Sequence, residues 1–392
     1  MKRYTILLVV TAILTFMGGF FSGMLFSDHK AQEERMEMAK QQDKQSSPAR
    51  EEKKPSKGQD DEMPPSKVLM GYVQDFRDPA TVDYSNLTHA IFSFAHPAKD
   101  GTLLLNGENA LTNLRAMVQR AHQQKTQAVL AVGGWYHIQG GESYEYFKTA
   151  IENPASRTKL TNELIGIAER EKLDGIDIDF EHPRSQEDAE NLALFVKGLS
   201  EKLHAKNKEL SIAVYSKIHS VTGKEVTSVI FEPSMFKYVD HVNIMAYDGQ
   251  WDGGYNAANL SPLPFTENIV AYWTNLFESH KLPVEKLVLG VPLYAQPEDP
   301  SVKQLSYHAI IGHDPANAEK DQVEMNGTTY HYNGETTMKR KTKLALENGF
   351  GGMMIWEAGH DAFGTHSLTG AIVEELEQYY IEEKRYATTT ND

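Results

Sequence analysis

Leu173-Asp174-Gly175-Ile176-Asp177-Ile178-Asp179-Phe180-Glu181-His182-Pro183 alternates acidic and apolar side chains with a period of two. In a strand, that period sends Asp177, Asp179 and Glu181 to one face and Ile176, Ile178 and Phe180 to the other. Neighbouring carboxylates on such a face stand about 6–7 Å apart, so like charges are held together at a cost. A solvated edge strand does not explain the row, because the segment is too apolar and too central. The strand is therefore read as buried, with its acids turned toward a site.

Similar short apolar runs occur on both sides of it. They lie at Val68–Tyr72, Thr88–Phe94, Ala128–Val132, Gly175–Phe180, Leu210–Tyr215, His241–Ala246, Leu287–Pro292 and Gly352–Trp356. Each has the length and the Val/Ile/Leu/Phe content of a buried parallel strand. Amphipathic helical patterns separate most of them, the clearest at Leu111–Gln124, Arg157–Glu171, Glu187–Lys206, Thr266–His280, Thr336–Glu347 and Leu368–Glu382. Eight strands alternating with helices predict a closed (β/α)8 TIM barrel, an α/β fold forming a single catalytic domain over residues 67–392. A doubly wound open sheet would carry a Gly-rich phosphate turn after an early strand. Gly133-Gly134 is followed by Trp135, and no third glycine completes such a turn. Working residues are then expected at the C-terminal ends of the strands. Two long loops on that face, Gly249–Pro264 and Ala295 to about Gly334, are expected to border the site, the second with a small hairpin around Thr328–Tyr332.

The segment before residue 67 is of another kind. Lys2 and Arg3 precede an uncharged, mostly apolar run, Thr5–Ser27. Its 23 residues suffice to span a bilayer core of about 30 Å. The preceding positive charges favour a cytoplasmic N-terminus with the remainder outside. Residues 1–27 are thus expected to be an uncleaved single-pass anchor, with a cleaved signal peptide as the alternative. The first places the protein on the extracellular side of the membrane, the second makes it secreted. Residues 28–66 mix both charges with Gln, Ser and Pro and have few aliphatic side chains, which predicts a disordered linker.

Composition narrows the function. A net charge of −15 argues against a nucleic-acid partner. The absence of cysteine excludes disulfides, thiolate metal sites and cysteine nucleophiles. Fifteen histidines form no HExxH or comparable spacing, so neither a catalytic metal nor any other cofactor is expected. A monomer is expected.

Three chemistries use a carboxylate row. Divalent metal binding draws acids from several segments. Two-carboxylate hydrolysis sets its groups on either side of a bond, usually on different strands. Substrate-assisted hydrolysis needs one acid at the leaving oxygen and a neighbouring carboxylate to orient an N-acetyl group, and one strand can supply both. Here the sequence resembles a known family. Asp174-Gly175-Ile176-Asp177-Ile178-Asp179-Phe180-Glu181 fits the DxxDxDxE signature of glycoside hydrolase family 18, the chitinases and their relatives. Ala131-Val132-Gly133-Gly134-Trp135 resembles the family's SxGG turn, and Met245-Ala246-Tyr247-Asp248 its MxYD motif. Gly290-Val291-Pro292-Leu293-Tyr294, Gly351–Glu357, Gly71-Tyr72 and Phe92-Ser93-Phe94-Ala95 are similar to the family at the seventh, eighth, first and second strands. The resemblance runs over about residues 67–380.

It implies that Glu181 protonates the glycosidic oxygen and later activates water. Asp179 orients the acetamide and stabilises a cyclic oxazolinium, Asp177 shares charge with Asp179, and Tyr247 donates to the acetamide oxygen. Asp174 is the more structural member of the signature. Asp248 would hold sugar hydroxyls, Trp356 would stack under the sugar, and Trp135 and Trp251 would be further platforms. Met245, Tyr72 and Tyr294, on the same motifs, complete the implied substrate-binding set. The substrate implied is a polymer of β-1,4-linked N-acetylglucosamine, chitin or its oligomers, cut in endo fashion by a retaining mechanism. Peptidoglycan or N-glycan linkages, and a non-catalytic sugar-binding protein on the same fold, are the rival readings. Ala131 departs from the family's Ser, removing one hydrogen bond from the acid row, for which Tyr72 is expected to compensate alone. The seventh-strand insertion is short for a cleft-walling module, so an open groove is expected.

Overall fold

The computed structural model describes residues 67–389, with side chains described through residue 382. The expected membrane segment Thr5–Ser27 and linker 28–66 lie outside the described residues. Among those described, no helix is long and apolar enough to cross a membrane.

Eight parallel strands close into a barrel. In order around it they are β1 (Val68–Gln74), β2 (His89–Pro97), β4 (Gln127–Gly133), β5 (Gly175–Asp179), β6 (Glu209–Tyr215), β7 (His241–Met245), β8 (Leu287–Pro292) and β13 (Gly352–Trp356), and β13 pairs back with β1. A two-residue strand, β3 (Leu103–Leu104), pairs antiparallel with the end of β2. The expected barrel is thus present, with strand bounds shifted by up to three residues.

Alternation divides the apolar residues into two cores. Outward-facing Ile176, Ile178 and Phe180 join the large cluster between strands and helices. A smaller cluster with Met70, Tyr72, Ile91, Val129, Ala131, Val288 and Met354 packs the inner face of the barrel. Phe180 stacks on Phe147 with ring centres 4.9 Å apart. Phe147 belongs to the helix Tyr144–Glu152, which is absent from the helical patterns of the sequence; the expected helix at Arg157–Glu171 is the following one, Pro154–Arg170. Asn153 divides them: its side chain accepts from Ala155 N at 2.8 Å, capping the second helix ahead of Pro154.

The segment after β8 corrects another expectation. Beyond a single hairpin it forms a small α+β unit: β9 (Tyr294–Pro297), β10 (Leu305–Ser306), the helix Tyr307–His313, β11 (Gln322–Met325) and β12 (Thr328–His331). The sheet order is β10-β9-β12-β11, antiparallel throughout. Buried Tyr307, Ile310, Tyr330 and Tyr332 form its core. Strands of two to four residues are too short to show a hydrophobic period, which is why the sequence hid them. The loop Gly249–Pro264 is built on two 3-10 turns, Gly249–Trp251 and Ala257–Asn259.

Candidate active site

The acid row of β5 ends at the C-terminal mouth of the barrel, where β4 is tied to it. Gly134 N donates to the carbonyl of Asp179 at 2.9 Å. Gly133 has φ +123°, and a Cβ there would fall 1.9 Å from that carbonyl oxygen, so only glycine fits. The first acid of the signature works at the other end: Asp174 accepts from Ala128 N at 2.7 Å and from His122 at 2.7 Å, pinning the start of β4.

Asp177 is fully buried and receives three donors. Tyr72 donates at 2.8 Å, Ser211 at 2.5 Å and Asn243 at 3.2 Å. The expectation that Tyr72 compensates alone for Ala131 is therefore corrected. Ala131 and Ser211 are the two strand neighbours of Asp177 in register, on β4 and β6, so the hydroxyl comes from the opposite side. Burial pushes the Asp177 carboxyl up to about 6, against the pull of those three donors.

Asp179 is also buried, and its Oδ1 has no hydrogen-bond partner within the protein. Burial first, then the Glu181 and Asp177 charges, raise its carboxyl well above the usual range. Glu181 is partly open to the cleft, its side chain 18% exposed. Burial, with Asp248 adding repulsion, pushes it up to about 8. His182 Nε2 lies 3.7 Å from the Glu181 carboxylate, and burial holds this imidazole down to about 3, hence neutral.

These groups open into a cleft of about 1110 Å3. Trp356, the last residue of β13, lines the cleft and packs on Phe94 at 5.8 Å and on Tyr72 at 5.5 Å between ring centres. Tyr247, Met245 and Asp248 line the cleft from the end of β7. The Tyr247 hydroxyl has only the Met354 sulfur at 3.9 Å, a weak acceptor. Trp135, 41% exposed, and Trp251, 61% exposed, stand on the rim. Of the residues lining the cleft, Gln304 alone comes from the small α+β unit.

Tyr294 is the exception in the predicted substrate-binding set. It is buried and outside the cleft lining, and donates to Asp248 Oδ1 at 2.5 Å, while Gln250 donates to the same oxygen at 3.0 Å. Tyr294 thus sets the position of Asp248 instead of touching a ligand. Phe94, Tyr136, Tyr215 and His182 line the cleft without having been assigned a role. Phe94 was legible as a motif member, but that it supports Trp356 depends on a contact 262 residues away along the chain.

Comparison with known proteins agrees with this geometry. The model of "Glycosyl hydrolases family 18" matches residues 68–361, so the chain belongs to that family. It is 30% identical over 240 residues to a "chitinase-like effector" of Moniliophthora roreri, covering 57% of this chain and 56% of that protein. The chain thus spans little more than half of that relative's length. It is 25% identical over 358 residues to "Chitinase 1" of Aphanocladium album, covering 76% of this chain and 81% of the relative. Among solved structures, a GH18 chitinase from the chitin utilization locus of Flavobacterium johnsoniae superposes with a TM-score of 0.66 at 25% identity, over 80% of this chain and 94% of that one.

Proposed function

We propose that this protein hydrolyses β-1,4-linked N-acetylglucosamine polymers, chitin or its oligomers, with retention of configuration. The observation that carries the reading is the buried row Asp177–Asp179–Glu181, which meets the cleft at Asp179 and Glu181 and shares its aromatic lining with Trp356. Glu181 gives its proton to the glycosidic oxygen as that bond breaks. The substrate's acetamide oxygen closes on the anomeric carbon, and the acetamide N–H finds its acceptor in the unpartnered Oδ1 of Asp179. Tyr247 donates to the acetamide oxygen. Glu181, now ionised, takes a proton from the water that opens the oxazolinium from the side the leaving group vacated, opposite the acetamide oxygen. Side-by-side digestion of chitin oligomers, peptidoglycan and glycoprotein tests the substrate: mixed oligomer products from chitin alone are expected. Cleavage confined to peptidoglycan or glycoprotein, or binding without turnover, overturns it.

The raised carboxyl of Glu181 fixes the sign of the pH response. A general acid must be protonated, so it is loaded through neutral pH, and kcat/KM falls as pH rises through about 8. Because Asp179 and Glu181 interact, that limb belongs to the pair. An alkaline limb near the ordinary carboxylate range, about pH 4–5, would contradict the assignment.

Ser211 is a positioning residue for this reaction. Ser211→Ala removes one donor from Asp177 and is expected to lower kcat about 3- to 10-fold with KM unchanged. The acid limb should move to higher pH, since a lost donor raises the Asp177 pKa further, and Ser211→Thr should restore both. A change in KM alone would contradict the role.

The N-terminal segment leads us to place the barrel outside the cell, held by Thr5–Ser27. Full-length protein is expected to stay in the membrane fraction after a high-salt wash, while a chain beginning at Pro65 is soluble and fully active. Native protein recovered from the medium beginning near residue 28 would refute the anchor.

A further inference from the structure

At the opposite end of the barrel from the cleft, three side chains meet that the proposed reaction does not use. His89 begins β2, Glu209 begins β6 and His241 begins β7. They converge on the inner side of the barrel's N-terminal opening. Glu209 pairs in register with Gly175, six residues before Glu181, which puts the group up to about 20 Å from the catalytic acid.

His89 Nε2 stands 2.9 Å from Glu209 Oε2, and His241 Nε2 3.9 Å from the same oxygen. The three ligand atoms all lie within 4.8 Å of one another, the one such His/Asp/Glu group among the described residues. Four ligands at about 2.0–2.2 Å around a tetrahedral zinc ion are about 3.3 Å apart, so the two measured separations bracket the required spacing.

The hydrogen bonding around this group suits a ligating His89, whose Nδ1 faces a hydroxyl while its Nε2 faces the carboxylate. Thr88 Oγ1 donates to Leu69 O at 3.0 Å and lies 2.8 Å from His89 Nδ1. With the hydroxyl proton on Leu69 O, Nδ1–H of His89 donates to Thr88 and the Nε2 lone pair faces the Glu209 carboxylate; with it on His89 Nδ1, Nε2–H donates to Glu209, and a bound metal would displace that proton. In the first tautomer, lone pair and carboxylate stand 2.9 Å apart and need a cation between them. His241 makes no hydrogen bond at 3.9 Å from Glu209, and its Nδ1 is buried without a partner. Gln127 Nε2 donates to the other Glu209 oxygen at 3.3 Å, fixing the carboxylate's orientation. Such outer hydrogen bonds to a ligating imidazole and carboxylate are what a metal site requires. Glu209 is 35% exposed and His241 18%, so the group is open to solvent on one side. That side gives an ion its entry and a water its place as fourth ligand.

We propose that His89, Glu209 and His241 bind a divalent transition-metal ion, zinc foremost, through two imidazole nitrogens and one carboxylate oxygen. The ion cross-links β2, β6 and β7 at the N-terminal end of the barrel and serves stability, not hydrolysis. Two neutral imidazoles and a carboxylate suit zinc, and cobalt(II) serves as its spectroscopic stand-in.

The test uses untagged full-length protein stripped with EDTA and titrated with ZnCl2 by calorimetry, and with CoCl2 by visible absorption. One equivalent of zinc is expected to bind with a dissociation constant on the order of 10 µM or tighter. At a hundredfold excess over that constant the melting temperature should rise by about 3–5 °C. Cobalt should give the d–d absorption of a low-coordinate site. His241→Gln, at a partly exposed position, and Glu209→Gln, which keeps the carboxylate's shape, should each weaken zinc binding at least tenfold and abolish the cobalt spectrum. Hydrolysis by both variants should match the parent's. No saturable binding, or binding that survives both substitutions, overturns the proposal and leaves a His89–Glu209 ion pair.

Discussion

Glu181→Gln is expected to lower kcat on chitin oligomers by about 10²–10⁴-fold. Gln keeps the volume and hydrogen-bonding reach of Glu but has no transferable proton. Affinity for a chitin oligomer should stay within about threefold, because Trp356, Trp135, Trp251 and Tyr247 are untouched and the lost interaction belongs to the transition state. The alkaline limb of the pH profile should vanish with the activity that remains, since its titrating acid is gone. Rapid-quench kinetics with equilibrium binding on the same preparation check both halves. Full activity in this variant would falsify the acid assignment, and loss of binding would mean that the cleft had been disturbed.

Asp179→Asn should cost about 10²–10³-fold in kcat by removing the charge beside the developing oxazolinium. Its effect on stability should have the opposite sign. A buried carboxyl with a raised pKa destabilises the fold at every pH above the unfolded value of about 3.9. Asn carries no such charge, so at neutral pH the variant is expected to melt at or above the parent's temperature. Thermal unfolding at pH 7 and at pH 4 checks this: the gain should shrink at the lower pH, where about half of the parent's acid is already protonated in the unfolded state. A variant that melts lower than the parent at pH 7 would show Asp179 to be a structural residue.

The barrel and its acid row were legible because both rest on local patterns. Period-two alternation put Asp177, Asp179 and Glu181 on one face; in the structure Ile176, Ile178 and Phe180 join the outer core, while Asp179 and Glu181 line the cleft. What escaped the sequence depends on distance along the chain. Ser211 reaches Asp177 from 34 residues away, and a serine in an apolar strand carries no signal by itself. His89 and Glu209 are 120 residues apart and share no spacing motif, so the histidine count gave no hint of their meeting. Tyr294 shows the converse error. Its place in a family-like motif suggested ligand contact, yet β9 leaves its hydroxyl behind Asp248. The α+β unit was hidden by strands too short for their period to register, while the expectation of an open groove drew on that segment's length. Gln304, its one side chain in the cleft lining, is consistent with an open wall.

The central claim is that the substrate's own acetamide is the nucleophile, with Glu181 as acid and Asp179 as its support. Proton NMR of chitin oligomers during the first minutes of digestion reads this directly, before mutarotation mixes the anomers. The acetamide attacks the face opposite the leaving group, and water then attacks the face opposite the acetamide. Two successive inversions return the original configuration, so the account predicts that the first-formed reducing ends are β. First-formed α-anomers would mean a single inversion by water and would contradict it.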